Sequence, residues 1–377
     1  MNLMQQTPVI ILPRQNTSLR PLAEDADKLL LTIGNRPIIY LTLKKLADSG
    51  IREVILPVWS DNDFLKAYLQ TIRIPGLELR TITIDDDLDE LSVLASLQAK
   101  IDERRFFVLT SDVLLMGDLQ EVFEAHTARG AKATVGIRQL PFDNRLSDAF
   151  FTSECVVKDH LNPYNYDWHH YACGIYLLEN DVFDDISQDA IENSLSAFLF
   201  NQLEIQDYIH LMDAEHLCEE LRNLDDYLHA NFSWVRKNFN SEEKAFIDSG
   251  GENGYLRIGE VYVDPDAYVS PGAVLIGPTV IGRDCHIEKR VVIQRSVLRR
   301  NVHVEGGAIV RDCIVNRDVV INAQKQHVNQ LILDDAMTFK LDNFKQVSSI
   351  LKKFPPHLSA KRPVIFPNGQ SGIDLHV

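Results

Sequence analysis

The chain has 377 residues, 45% of them hydrophobic, which is more than one hydrophobic core usually serves, so two domains are expected. With 54 acidic against 38 basic residues the formal net charge is −16, leaving no general basic surface for a phosphate backbone and setting nucleic acid aside as a main partner. No apolar run approaches the roughly 18–20 residues of a membrane span, and the start MNLMQQTPVIILPRQN lacks a basic segment followed by a long apolar one; a cytoplasmic protein with no membrane partner is expected. The five cysteines, Cys155, Cys173, Cys218, Cys285 and Cys313, form no CxxC pair and fit neither a disulfide framework nor a cysteine zinc site.

In chain order, Val9-Ile10-Ile11-Leu12 reads as a buried strand, and Pro37 to Ser49 as a helix with proline in its first turn and Gly50 just past its end. Strands are predicted over Glu53 to Val58, Leu79 to Ile84, Phe106 to Thr110 and Ala133 to Arg138. Helices are predicted over Phe64 to Thr71, Leu88 to Ile101 and Leu119 to Arg129. Strands separated by helices imply parallel βαβ units, whose ligands sit beyond the carboxyl ends of the strands. This places the loop Leu12 to Leu22 and Asp112 at the mouth of the expected site.

After about residue 255 apolar residues recur every sixth position. Val263, Val269, Leu275, Ile281, Ile287 and Ile293 form one series; the step shortens to five at Leu298, returns to six at Val304 and Val310, shortens again at Val315 and returns at Ile321. Such a period is the mark of a parallel β-helix with three hexapeptides per triangular coil. From about Asp334 onward the period is lost, and the segment reads as a cap and tail. The fold class is therefore α/β: a Rossmann-like mixed-sheet domain over 1–245, a left-handed β-helix over 255–335, and a C-terminal cap and tail over 336–377.

This combination resembles the sugar-1-phosphate nucleotidyltransferases, the NDP-sugar pyrophosphorylases, over nearly the whole chain. Members carry a loop of the form LAGGxGTRLxPLT, a PKPLL segment, and GxPLI opening a helix. Here the stretch Ile11-Leu12-Pro13-Arg14-Gln15-Asn16-Thr17-Ser18-Leu19-Arg20-Pro21-Leu22 stands at the loop, Asp27-Lys28-Leu29-Leu30 at the second segment, and Gly34-Asn35-Arg36-Pro37-Ile38-Ile39 at the third. Every loop glycine is gone and the loop is one residue shorter. Glycine lets backbone N–H groups turn toward a triphosphate, and Pro13 removes one such donor outright. Arg14 and Arg20 read either as phosphate-binding replacements, since a guanidinium grips such oxyanions bidentately, or as solvated loop residues.

The resemblance implies roles for other positions. Lys28 stands at the family's phosphate-contacting lysine and is the catalytic candidate. Asp112, in Leu109-Thr110-Ser111-Asp112, stands at the aspartate that helps hold Mg²⁺, and Glu220 at the second metal aspartate, one methylene longer. Lys158 stands where an EKP segment meets the sugar, and Gly174 lies in Tyr171-Ala172-Cys173-Gly174-Ile175-Tyr176, at the family's NAGIY strand; both are substrate-binding candidates. Leu91 to Leu97 replaces an LGTAGAL segment without its glycines. The cluster Tyr164-Asn165-Tyr166-Asp167-Trp168-His169-His170-Tyr171 reads as an exposed loop or interface patch, and the run Asp85-Asp86-Asp87-Leu88-Asp89-Glu90 as a helix start favoured by capping and the helix dipole.

Two functions follow. Joint loss of the glycine loop, the LGTA-like segment and the EKP segment favours a non-catalytic or strongly altered member, a regulatory or assembly subunit binding nucleotide or sugar phosphate, as a homo-oligomer or in complex with an active relative. The alternative is an active Mg-dependent enzyme making NDP-sugar and pyrophosphate from NTP and sugar-1-phosphate. An acyltransferase on the β-helix is weak, because its only histidines between coils, His286 and His303, carry no supporting motif.

Overall fold

Residues 9–12 carry no polar side chain, and all four are buried in the strand Val9–Leu12. It lies inside a mixed sheet whose strand order is 209–213, 133–139, 169–179, 105–110, 9–12, 53–59, 78–84. The computed structural model describes residues 3–14, 19, 21–23, 25–85, 88–139, 157–158, 169–186, 194–202, 208–238, 247–249, 254–334 and 336–341. The chain divides into two compact units, one of residues 1–15 and 39–220, the other of 16–38 and 221–377.

In the first unit the strands at 9–12, 53–59, 78–84 and 105–110 run parallel, as their intervening helices require. The strand His169–Glu179 enters antiparallel to both Arg105–Thr110 and Ala133–Gln139, and Ile209–Asp213 adds parallel to the latter. One side of the sheet packs Leu91, Val93, Leu94, Leu97, Phe183, Leu195 and Phe198 around Phe106 and Tyr176, with the Phe106 and Phe183 rings stacked at 5.2 Å. The helix predicted over Leu88 to Ile101 is shorter. It spans Glu90–Ser96 and gives way to a 3-10 turn at Gln98–Lys100, because the Leu97 and Lys100 amides bond back only three residues, to the Leu94 and Leu97 carbonyls. Within the acidic run, Asp89 caps that helix by accepting the Ser92 amide at 2.8 Å.

The second unit holds the β-helix. Leu256 pairs with Val274 and Val274 with Val292, steps of 18 residues; Val292 pairs with Ile309 and Ile309 with Gln326, steps of 17. The five-residue slips read in the sequence are thus coils shortened by one residue. Of the apolar series, Val269 to Ile321 form the buried core, with Val263 packed at its edge. A second inward column (Ala273, Cys285, Val291, Val302, Ala308, Cys313, Val319) fills the space between them. The corners use left-handed backbone at stacked positions: Asp284, Asn301 and Asp318 at φ 56, 57 and 62°, residue types that tolerate it. The helix Leu224–Asn238 belongs to this unit and ties down its N-terminal segment. Tyr227 donates to the Thr32 carbonyl at 3.0 Å, the Gly34 amide donates to Asn231 Oδ1 at 3.1 Å, and Arg299 donates to the Leu22 carbonyl at 3.3 Å. The predicted tail beyond 341 lies outside the described residues.

Candidate active site

The strands Val9–Leu12 and Arg105–Thr110 are parallel neighbours with Leu12 opposite Thr110, so the chain leaves both carboxyl ends side by side. Beyond them the Ser111 amide donates to the Leu12 carbonyl at 2.9 Å. The Arg14 amide donates to Ser111 Oγ at 3.0 Å. The described part of the loop therefore turns its backbone donor onto its own protein, and Pro13 contributes none.

The Arg14 side chain, only 8% exposed, points inward. Its Nε donates to Glu90 Oε1 at 2.9 Å and its Nη1 to Asp112 Oδ2 at 3.4 Å, with Asp112 itself buried. The reading of Arg14 as a solvated loop residue is thereby set aside. The other Glu90 oxygen accepts the Leu195 amide at 3.0 Å, at the start of the helix Leu195–Asn201. Burial pushes the Glu90 carboxyl up from its ordinary value, against the opposing pull of the Arg14 charge.

Asp112 and Glu220 come together through a short antiparallel ribbon, Val113–Leu115 against Cys218–Glu220, in which Glu220 is the direct partner of Val113. Asp112 thus lies one residue from the position facing Glu220, and both carboxylates are buried. Arg138 Nη1 stands 3.9 Å from Glu220 Oε1. Gly174, at φ +79°, sits where the strand His169–Glu179 closes over the same end of the sheet. A Cβ there would lie 2.1 Å from Thr110 Oγ1 and 2.7 Å from Val113 Cγ2, so the space a side chain needs is already filled. Lys28 belongs to the second unit, in the 3-10 turn Asp25–Leu30, with its side chain 1% exposed. Arg20 lies outside the described residues. Lys158 is described as backbone alone, in a two-residue strand opposite His169. Most of the 164–171 cluster is likewise outside them, Tyr171 being buried in its strand.

Two participants escaped the sequence reading. Glu90 heads the stripe Glu90, Val93, Leu94, Leu97, all buried on one helix face. A glutamate leading an apolar stripe is a signal of a paired buried charge, and it was available in the sequence. Ser111 carried no such signal.

The paired carboxylates raise the question of Mg²⁺. Asp112 and Glu220 are both buried, and a guanidinium stands near each, Arg14 Nη1 3.4 Å from Asp112 Oδ2 and Arg138 Nη1 3.9 Å from Glu220 Oε1. A divalent ion at Asp112 Oδ2 would face Arg14 at about 4 Å, a repulsion of ~4 kcal/mol per unit charge at an effective dielectric constant of about 20.

Strand order, carboxyl-end loop and acidic ribbon define a nucleotidyltransferase-type domain, here followed by a β-helix. Residues 8–147 match the Nucleotidyl transferase family and residues 257–352 the GMPPB C-terminal domain. Both matches and the relatives below support the resemblance to the sugar-1-phosphate nucleotidyltransferase family. It is 25% identical over 293 residues to a mannose-1-phosphate guanylyltransferase of Mycobacterium tuberculosis, spanning 74% of this chain and 76% of the relative. It is 25% identical over 268 residues to the mannose-1-phosphate guanylyltransferase catalytic subunit beta of Drosophila melanogaster, spanning 70% and 71%. Among solved structures, a Bacillus anthracis protein assigned as a glucose-1-phosphate thymidylyltransferase, in complex with sucrose, shares the fold. Its TM-score is 0.51 at 15% identity, covering 62% of this chain and 96% of that one.

Proposed function

We propose that this chain binds a nucleotide or a sugar phosphate without ordinary turnover and serves as a regulatory or assembly subunit, either as a homo-oligomer or beside an active relative. One observation carries the reading: the buried Arg14 bridges Glu90 and Asp112 where the family places a glycine loop and a metal carboxylate. Phosphoryl-type transfer of this kind needs positioning and charge neutralisation rather than a covalent intermediate. A guanidinium already neutralised by two protein carboxylates has little attraction left for a triphosphate, and the Arg14 amide is spent on Ser111. Lys28 remains the group that would meet phosphate charge, with Lys158 and Gly174 proposed on the sugar side.

The second reading, an active Mg-dependent enzyme, is supported by the ribbon that sets Glu220 opposite Val113, one residue from Asp112. It requires Arg14 to leave Asp112. The relatives' names make GTP with mannose-1-phosphate the first pair to try. Binding of each to the purified protein, measured calorimetrically with and without Mg²⁺, tests the proposal. Binding insensitive to Mg²⁺ and without pyrophosphate release supports it; no binding of any NTP or sugar phosphate removes its ligand half, and rapid pyrophosphate release removes the rest.

A further inference from the structure

One face of the β-helix gathers side chains that the family site does not use. The strands Tyr268–Val269, His286–Ile287, His303–Val304 and Val320–Ile321 stack in parallel, so Tyr268, His286, His303 and Val320 form one outward column. The residues after Val269, Ile287 and Val304 turn the corner, and Glu288 is one of them. The Tyr268 and His286 rings lie 4.8 Å apart, tilted by 30°, and the His286 and His303 rings 5.0 Å apart, edge to face. Glu288 is doubly fixed: its Oε2 accepts the Gly306 amide at 2.9 Å, and its Oε1 lies 3.0 Å from His303 Nε2. One ligating atom from each of His286, Glu288 and His303 falls within 4.8 Å of the others.

We propose that His286, Glu288 and His303 form a binding site for a divalent transition-metal ion of the zinc type, two imidazoles and one carboxylate, that staples consecutive coils. Nitrogen-rich ligation suits Zn²⁺ and its neighbours and disfavours Mg²⁺ and Ca²⁺, which take oxygen. Metal–ligand bonds of about 2.0–2.1 Å at tetrahedral angles place ligand atoms ~3.4 Å apart. The ligating atoms, within 4.8 Å of one another, would draw in by up to about 1.4 Å, and the His303 and Glu288 side chains, 41% and 38% exposed, have room for their rotamers to adjust. The Gly306 amide does for Glu288 what outer hydrogen bonds do for metal-bound carboxylates: it holds one oxygen and leaves the other aimed at the ion. Tyr268 packs on His286 and limits its rotation in the same sense. Binding replaces the contact between His303 and Glu288, displaces any proton held on the ligating nitrogens, and leaves a fourth position to water.

The test uses the full-length chain without a histidine tag, stripped with chelator, and titrated with Zn²⁺ at pH 7.5 against a chromophoric competitor, with Mg²⁺ as control. One Zn²⁺ per chain in the micromolar range or tighter is expected. His286→Ala and His303→Ala should each weaken binding at least 10-fold, and Glu288→Gln should weaken it by a smaller factor. Saturating Zn²⁺ should raise the unfolding midpoint of the wild type by several degrees and leave that of the double histidine variant unchanged. All three residues lie on the surface, so the variants should fold, and circular dichroism confirms this. Binding no tighter than millimolar overturns the proposal. So does stoichiometric binding that survives in the double variant.

Discussion

Replacing Arg14 by methionine keeps most of the buried volume and removes the charge that joins Glu90 to Asp112. All three residues are 8% exposed or less, so solvent screens little of the loss. Removing one partner of a buried ion pair costs about 3–5 kcal/mol, chiefly because the surviving charge is left uncompensated. The cost should be smaller at pH 5 than at pH 8, because burial already raises the Glu90 carboxyl toward protonation, and a protonated Glu90 needs no partner. Glu90→Gln keeps an acceptor for the Leu195 amide and should cost less, about 1–2 kcal/mol. A double-mutant cycle should return a coupling of roughly 2 kcal/mol. Amide exchange in the strands Val9–Leu12 and Arg105–Thr110 reads the stability of this unit directly. With the guanidinium gone, Arg14→Met should also acquire a Mg²⁺-dependent gain in protection that the wild type lacks. A variant within 0.5 kcal/mol of wild type, with no pH or Mg²⁺ dependence, refutes the reasoning.

Two further outcomes follow from the same geometry. Gly174→Ala should destabilise the first unit by several kcal/mol, since left-handed backbone costs ~1–2 kcal/mol for a side-chain residue and the new Cβ collides with Thr110 and Val113; loss of soluble expression or a steep fall in the thermal midpoint checks this. Burial holds the His126 imidazole, bonded to Thr134 Oγ1 at 2.9 Å, below its ordinary value, so the folded protein binds that proton more weakly than the unfolded chain. The stability it contributes is present above about pH 6.5 and lost as the pH falls below it, and His126→Gln should flatten that decline in urea midpoints measured from pH 8 to 5.

The β-helix was legible almost residue by residue because its period is fixed by geometry: each inward position must be apolar, and a shortened coil leaves a five-residue step in plain view. The parallel strands of the first unit were legible for a similar reason, Val9 to Leu12 and Phe106 to Thr110 being unbroken apolar runs. Less was visible where tertiary pairing decides. The antiparallel entry of His169–Glu179 depends on long-range partners, and the early end of the helix at Ser96 depends on where the Leu97 amide finds an acceptor. Within the candidate site, Arg14 and Asp112 could be placed at the carboxyl ends of strands from sequence, but their bond to each other could not. Arg14 also bonds Glu90, whose place at the head of an apolar stripe was visible in the sequence but read as part of an acidic helix start. Loop chemistry is read as composition, whereas a buried ion pair is a fact of packing.

The proposed function rests on Arg14 holding Asp112, the carboxylate to which the family resemblance assigns Mg²⁺. Pyrophosphate release from GTP and mannose-1-phosphate, followed continuously at saturating Mg²⁺ with the purified protein and with Asp112→Ala, tests it most directly. The two proteins should give the same background rate. Turnover by the wild type that Asp112→Ala and Lys28→Ala abolish, with both variants folded, would contradict it.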